Sequence, residues 1–318
     1  MRAVWLHEFG GPEVLAVDGA PDPEPDGDQV LIEVEYAGVT FVETQVRAGR
    51  GPFPVRPPLV PGNGVGGVVT RVGAGADRRL VGKRVVSSLN GSGGYAERAV
   101  ADAAAVIEVP PEVGLDTAVA LLADGRTATM LVRDAGLRAG DRVLVEAAAG
   151  GVGSLLVQLA RNAGARVVAA AGGEHKLELA AELGAEVVVD YRKPDWPGAV
   201  RDAIGGVDVV FDGVGGDLAR AAFDLLGAGG RMLSFGLASG EWAAIPEDLA
   251  AERGVTLGGG RGGTPAELRE LAASALAEAA AGRLRPVIGQ RFPLARVADA
   301  HAAIESRATV GKTLLEVR

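Results

Sequence analysis

Residues 143–160 read VLVEAAAGGVGSLLVQLA, and this stretch holds a strand, a glycine turn and an apolar helix in succession. Val143, Leu144 and Val145 make an apolar run of parallel-strand length, and Leu155, Leu156, Leu159 and Ala160 then recur at helical spacing. Between them Gly150, Gly151 and Gly153 permit a tight turn that aims the free N–H groups of a helix start at an anion, for which a pyrophosphate is the natural guest. In the dinucleotide fingerprint the middle glycine lets backbone approach phosphate and the last lets helix and strand pack closely. Here Gly150 and Gly153 hold those two places while Ala148 stands in the first. With 48 glycines in 318 residues such a pattern also arises by chance, so the flanking sequence has to support it.

Downstream, strands alternate with helices. Strand-like runs at 166–171 (RVVAAA), 186–190 (EVVVD), 207–212 (VDVVFD), 230–236 (GRMLSFG) and 254–259 (GVTLGG) are separated by helical patterns near 174–183, 195–204 and 218–226. With the first strand this makes six, the pattern of a doubly wound parallel sheet. Upstream, VLIEVEYAGV at 30–39 and shorter runs after it, cornered by glycine, predict a compact, curved β domain; 40–48 (TFVETQVRA) predicts one or two helical turns. Helical periodicity from Leu115 to Arg133 leads into the glycine turn. Thr264 and Pro265 open a further helix that Gly282 follows. The remaining strand, helix and strand are expected to rejoin the first domain. GGGRGG at 258–263 is the one low-complexity linker.

A site that prefers NAD carries an acid at the end of the second strand, about 20 residues after the glycines, to hold the ribose hydroxyls. That end reads Ala169, Ala170, Ala171, Gly172, Gly173, and Glu174 already belongs to the next helix. Lys176, with Tyr191, Arg192 and Lys193 after the third strand, can instead gather around a 2′-phosphate. An ordinary solvated charge cluster is the alternative. His175 is expected to face solvent.

Composition narrows the rest. A 48% hydrophobic, 23% charged chain of this length is that of a folded protein with a sizeable core. The net charge of −9, without a basic cluster, argues against nucleic acid as a partner. No run reaches the roughly 18 apolar residues of a membrane span, and the N-terminal MRAVWLHEFGG lacks the apolar core of a signal peptide, so a cytoplasmic location is expected. Without cysteine there is no thiolate catalysis, disulfide or sulfur-ligated metal, and three scattered histidines, His7, His175 and His301, do not suggest a zinc site.

Six segments carry a family likeness: HEFGGPEVL (7–15), AGVTFVETQVRAG (37–49), PGNGVGGVV (61–69), AAAGGVGSLLVQLA (147–160), LGAEVVVDYR (183–192) and FPLARVADAHAAIESRATVGKTLLEV (292–317). Through them the chain resembles, nearly end to end, the zinc-independent quinone oxidoreductases of the medium-chain dehydrogenase/reductase superfamily, the group that includes zeta-crystallin. The resemblance implies an α/β protein: a GroES-like, β-rich catalytic domain from residues 1–122 and 262–318, and a Rossmann domain at 123–261 that binds NADPH. It implies a homodimer formed where the last Rossmann strand, near Gly254 to Gly259, meets its symmetry mate. Carried over by position, Gly150, Gly151, Val152 and Gly153 line the pyrophosphate, Lys176 and Tyr191 contact the 2′-phosphate, and Thr127, Ser234, Phe235 and Gly236 flank the nicotinamide. Lys312 is expected among the cofactor contacts as well. The chain departs from the family at the acceptor end, where Thr40 replaces a common Asn and Gln45 and about Gly51 replace tyrosines.

The expected activity is metal-independent, NADPH-dependent hydride delivery to a quinone or similar conjugated carbonyl, whose developing charge spreads so that a few hydrogen-bond donors suffice. Thr40, Asn63 and Arg47 are the donors expected nearest that oxyanion; otherwise they are a helix cap, a turn residue and a surface charge. Asp124 and Arg126 form a local ion pair or touch a ligand. Glu43 and Glu146 are further acids without a visible partner. Reduction of an enone or enoyl thioester is the alternative activity, and a nucleotide-binding protein without catalysis is the reading from another class.

Overall fold

A computed structural model describes residues 1–259 and 262–318. The linker read at 258–263 falls partly on residues 260 and 261, outside the described residues. The chain forms two compact units, Met1–Arg126 with Thr264–Arg318, and Thr127–Gly263.

In the first unit β1 (Arg2–Leu6) and β2 (Leu15–Gly19) pair as an antiparallel hairpin. Next come β3 (Gln29–Val39), α1 (Phe41–Arg47), β4 (Gly64–Val72), β5 (Arg84–Ser88), β6 (Arg98–Asp102) and β7 (Ile107–Glu108). Helix α2 (Leu115–Ala135) begins in this unit and runs on into the next. The second unit holds β8 (Arg142–Glu146), α3 (Gly151–Asn162), β9 (Arg166–Ala171), α4 (Glu174–Glu182), β10 (Val187–Asp190), α5 (Trp196–Ile204), β11 (Val207–Asp212), α6 (Gly216–Phe223), β12 (Leu226–Ser234), α7 (Glu247–Glu252) and β13 (Thr256–Gly259). The chain then returns to the first unit as α8 (Pro265–Ala280), β14 (Ile288–Pro293), α9 (Val297–Glu305) and β15 (Lys312–Glu316).

Strand β3 is the hub of the first unit. Among the described residues the sheet order is β14-β15-β3-β4-β5-β7, with β6 also paired to β3. The long β3 can serve three neighbours because its apolar residues, Val30, Ile32 and Val34, alternate toward a core that includes Val65, Val69, Val85, Tyr95 and Leu315. Pairing of Thr313 to Val39 brings the chain's last strand against its third, the rejoining that the sequence pattern implies.

In the second unit all sheet pairs are parallel, in the order β10-β9-β8-β11-β12-β13 among the described residues. This is the doubly wound Rossmann order, and β8 lies where the winding reverses, beside β9 on one flank and β11 on the other. Val143, Leu144 and Val145 are fully buried, which explains why the run is apolar without alternation. Two local readings need correction. The fifth strand covers Leu226–Ser234, so Phe235 and Gly236 lie just beyond it, and α6 starts at Gly216 and stops at Phe223. Gly215 (φ +76) and Gly216 (φ +58) turn the chain into that helix early. The short α7 carries too few apolar residues to reveal a periodicity.

Candidate functional site

The glycine turn follows β8 directly. Ala147 adopts φ +48 and its carbonyl accepts the Gly150 amide at 2.8 Å. A Cβ on Gly153 would lie 2.2 Å from that carbonyl oxygen, so any side chain there displaces backbone; at Gly150 the same contact would be 3.2 Å. Helix α3 starts at Gly151 after Gly150 as N-cap, with no side-chain cap. The amides of Gly151, Val152 and Gly153 therefore have no intrahelical acceptor, and with the helix dipole behind them they make an anion cradle of the kind a pyrophosphate fits.

At the adjoining strand ends, Gly172 and Gly173 (φ +102) lead from β9 into α4, whose first turn carries Lys176. Tyr191 and Arg192, directly after β10, pack over these glycines: a Cβ on Gly172 would meet Tyr191 Cε2 at 3.1 Å and Arg192 Cδ at 3.3 Å. Burial and, second, the Arg192 charge lower the Lys176 pKa, which places two cations at one corner. Arg192 grips Asp190 through Nη2 to Oδ2 at 2.6 Å, and this bond chiefly lowers the Asp190 pKa to about 2. The fit to a ribose phosphate therefore rests on Lys176 and the exposed Arg192 with no acid at the end of β9. His175 is exposed.

The ends of β11 and β12 are joined by Asp212. Its Oδ1 accepts the amides of Val214 (3.0 Å) and Gly215 (2.7 Å), its Oδ2 accepts Ser234 Oγ at 2.7 Å, and its carbonyl accepts the Phe235 amide. A Cβ on Gly236 would lie 2.6 Å from the Gly213 carbonyl oxygen. Ser234, Phe235 and Gly236 are thus tied to the neighbouring strand end, with the serine hydroxyl already donating to Asp212. Glu146, the last residue of β8, is 1% exposed, and neither carboxyl oxygen has a hydrogen-bond partner among the described residues. Burial first, and the Asp212 charge second, hold its pKa well above the ordinary carboxylate range. The charge that acts on it comes from a different strand, β11.

In the first unit Thr40 is the N-cap of α1 in a capping box. Its amide donates to Glu43 Oε2 at 2.6 Å, its hydroxyl lies 3.1 Å from the same oxygen, and its Oγ1 accepts the Glu43 amide at 3.4 Å. Asn63 donates its amide to Glu43 Oε1 at 2.8 Å and accepts the amides of Leu89 and Gly91 on Oδ1. Thr40 thus caps α1 and Asn63 ties a turn, and the two converge on one buried acid, Glu43.

Arg47 is the correction in this set. It is 2% exposed, donating to the Gly10 carbonyl at 3.0 Å and pairing with Glu305 at 2.6 Å, so it is neither a surface charge nor an available donor. A buried guanidinium needs such partners, and Glu305 lies 258 positions away. Lys312, also buried, pairs with Asp124 at 3.2 Å, and the charge of the same carboxylate reaches Arg126, whose pKa burial lowers. Thr127 lies within α2, at the first residue of the second unit.

Two family models match the chain: the alcohol dehydrogenase GroES-like domain over residues 26–111, and the zinc-binding dehydrogenase over residues 151–278. Human (Homo sapiens) quinone oxidoreductase is 35% identical over 324 residues, spanning 99% of this chain and 97% of that protein. The crystal structure of Escherichia coli quinone oxidoreductase complexed with NADPH matches with a TM-score of 0.92 at 29% identity, over 99% of this chain and 100% of that one. The crystal structure of an NAD-dependent alcohol dehydrogenase matches with a TM-score of 0.91 at 33% identity, over 100% of both chains. Zinc, which the second model's description implies, finds no donor set here: the sequence has no cysteine, and no group of three or more His, Asp or Glu among the described residues could hold a metal ion. A GroES-like domain, a Rossmann sheet with its glycine cradle, and full-length likeness to quinone oxidoreductases lead to one conclusion: the chain belongs to the medium-chain dehydrogenase/reductase superfamily, in its quinone oxidoreductase, zeta-crystallin-like branch.

Proposed function

We propose that the protein is an NADPH-dependent oxidoreductase that reduces a quinone or a similar conjugated carbonyl without a metal. The observation that carries this reading is the phosphate corner, where Lys176 and Arg192 stand beside Gly172 and Gly173 and no acid ends β9. The NADPH complex of the E. coli relative supports the same cofactor. Bound there, NADPH supplies a hydride.

The chain's own residues hold and orient the reactants. The amides of Gly151 to Gly153 take the pyrophosphate, Lys176 and Tyr191 the 2′-phosphate, and Ser234 to Gly236, braced by Asp212, border the nicotinamide. At the acceptor, Thr40 Oγ1 and Asn63 Nδ2 are the donors for the developing oxyanion, with Arg47 left out because Glu305 holds it. Phe41 and Val42, directly after Thr40, are 37% and 41% exposed, which favours an apolar, conjugated acceptor over a small polar one. Residues 1–122 with 262–318 form the catalytic domain and 123–261 the NADPH-binding domain. The edge strand β13 pairs with its symmetry mate in a homodimer.

The test is NADPH and then NADH oxidation against ortho- and para-quinones, alkenals, cyclic enones and enoyl thioesters. Saturable turnover of quinones with NADPH is expected. Turnover of an enone with none of any quinone would reassign the acceptor class, and NADPH binding without turnover on the whole panel would remove the catalytic reading.

A further inference from the structure

We propose that Phe53 sets acceptor choice: its ring is the platform on which a flat, ring-shaped conjugated acceptor, a quinone rather than an open-chain enal, stacks while its carbonyl meets Asn63 Nδ2. This inference rests on the reading of Asn63 as a donor to the acceptor.

The donor is oriented by backbone. Asn63 Oδ1 accepts the amides of Leu89 at 3.1 Å and Gly91 at 2.7 Å, and the main-chain amide of Asn63 is held by Glu43 Oε1 at 2.8 Å. Two N–H donors on one atom identify it as the carboxamide oxygen. The Nδ2 group is therefore fixed on the opposite side, with its hydrogens unspent among the described residues.

One residue joins this donor to Phe53. The Gly91 amide lies on Asn63, and a Cβ on Gly91 would stand 3.5 Å from Phe53 Cε2 and 3.9 Å from Cζ, so the tip of the ring rests on the turn that orients the carboxamide. At φ +107 that turn position suits glycine, and no side chain at 91 comes between them. Phe53 is still 40% exposed. An isolated apolar side chain at a surface needs no explanation, but this one leaves ring surface open beside a fixed and unspent donor.

The backbone beneath the ring is stiff. Pro52 and Pro54 fix φ on either side of Phe53, and the proline that follows confines Phe53 itself to extended backbone. Before it, Gly51 runs against α1, where a Cβ would lie 2.5 Å from Val46 Cγ2 and 3.0 Å from Val46 Cα. After it, Leu59 exchanges both backbone hydrogen bonds with Leu6, at 2.9 and 3.1 Å. A ring held in this way gives up little freedom when a ligand covers it. Its face is electron-rich and a quinone ring is electron-poor, so the two attract in an offset stack beyond the apolar area they bury. An open-chain enal buries less area and offers no ring to stack.

Binding without turnover gives the first test. Calorimetric titration of 1,4-naphthoquinone into the protein with NADP⁺, where no hydride is available, should show a Kd that Phe53→Ala raises on the order of 10-fold. Phe53→Trp should keep the wild-type Kd, and Phe53→Leu, apolar but without a ring, should follow the alanine variant. In turnover with NADPH, Phe53→Ala should raise KM for 1,4-naphthoquinone by a similar factor and change KM for trans-2-hexenal less than about twofold, with an unchanged NADPH Kd as the check on folding. Equal losses for both acceptors, a wild-type Kd in Phe53→Leu, or no naphthoquinone binding to the wild type overturns the proposal. If naphthoquinone binding depends on Phe53 but the wild type turns over no acceptor, the proposed activity fails and the platform stands. If quinones turn over and Phe53→Ala alters neither Kd nor KM, the platform fails and the activity stands.

Discussion

Lys176 stands at the corner where the proposed 2′-phosphate contact lies. Half-buried in the first turn of α4, it has its pKa lowered by burial first and the Arg192 charge second, and the end of β9 offers no carboxylate to bind a free ribose hydroxyl. A phosphate there would be met by two cations, one of which, Arg192, is paired with Asp190. Lys176→Ala should raise the Kd for NADPH on the order of 10-fold and leave NADH almost unchanged, measured by fluorescence titration; equal weakening of both would remove the assignment. Lys176 is legible in the sequence because it follows the second strand at the family's spacing. The closeness of Arg192 to the same glycines is not, since it depends on how β10 lies against β9.

Elements here are built from short-range signals, and these are the most readable part of the chain. Helix α8 begins with Thr264, Pro265 and Glu267, and forms the full capping box: the Thr264 hydroxyl accepts the Glu267 amide at 3.3 Å and the Glu267 carboxylate accepts the Thr264 amide at 2.7 Å. Thr264→Ala should cost about 1 kcal/mol, read as a lower denaturation midpoint at unchanged m-value; no shift would show that tertiary contacts alone hold this helix start. The glycine cradle is as local, because Gly153 answers to the carbonyl of Ala147 just before it in the same turn. Where the local signal is weak, pattern and structure part: α6 begins and ends earlier than its apolar residues imply, and α7 has no periodicity to find.

At the scale of the whole molecule, folding sequesters ionisable groups that no local pattern marks. His301 is fully buried with Nδ1 unpartnered among the described residues, and burial, helped by the Arg47 charge, brings its pKa down to about 3. The unfolded imidazole takes up a proton below about pH 6.5 and the folded one only near 3, so between these values the unfolded state binds more protons. Stability should therefore fall with falling pH across that window, by on the order of 3 kcal/mol at about pH 4 from this group alone. Urea denaturation at a series of pH values from neutral down to about pH 4 should show a shallower acid loss in His301→Gln than in wild type; parallel curves would place the proton sink elsewhere.

The sequence by itself determined the sheet order's ingredients, the cradle and the absence of a cysteine-based site, because periodicity, turn glycines and composition act over a few residues or over none. Only the tertiary structure decided that Arg47 is clamped by Glu305, that Glu146 lies against Asp212, and that Thr40 and Asn63 meet at Glu43. Those pairings join positions 20 to 258 residues apart, apart from the Thr40 cap, and the desolvation that gives a buried charge its partner or its proton exists only once the chain has closed around it.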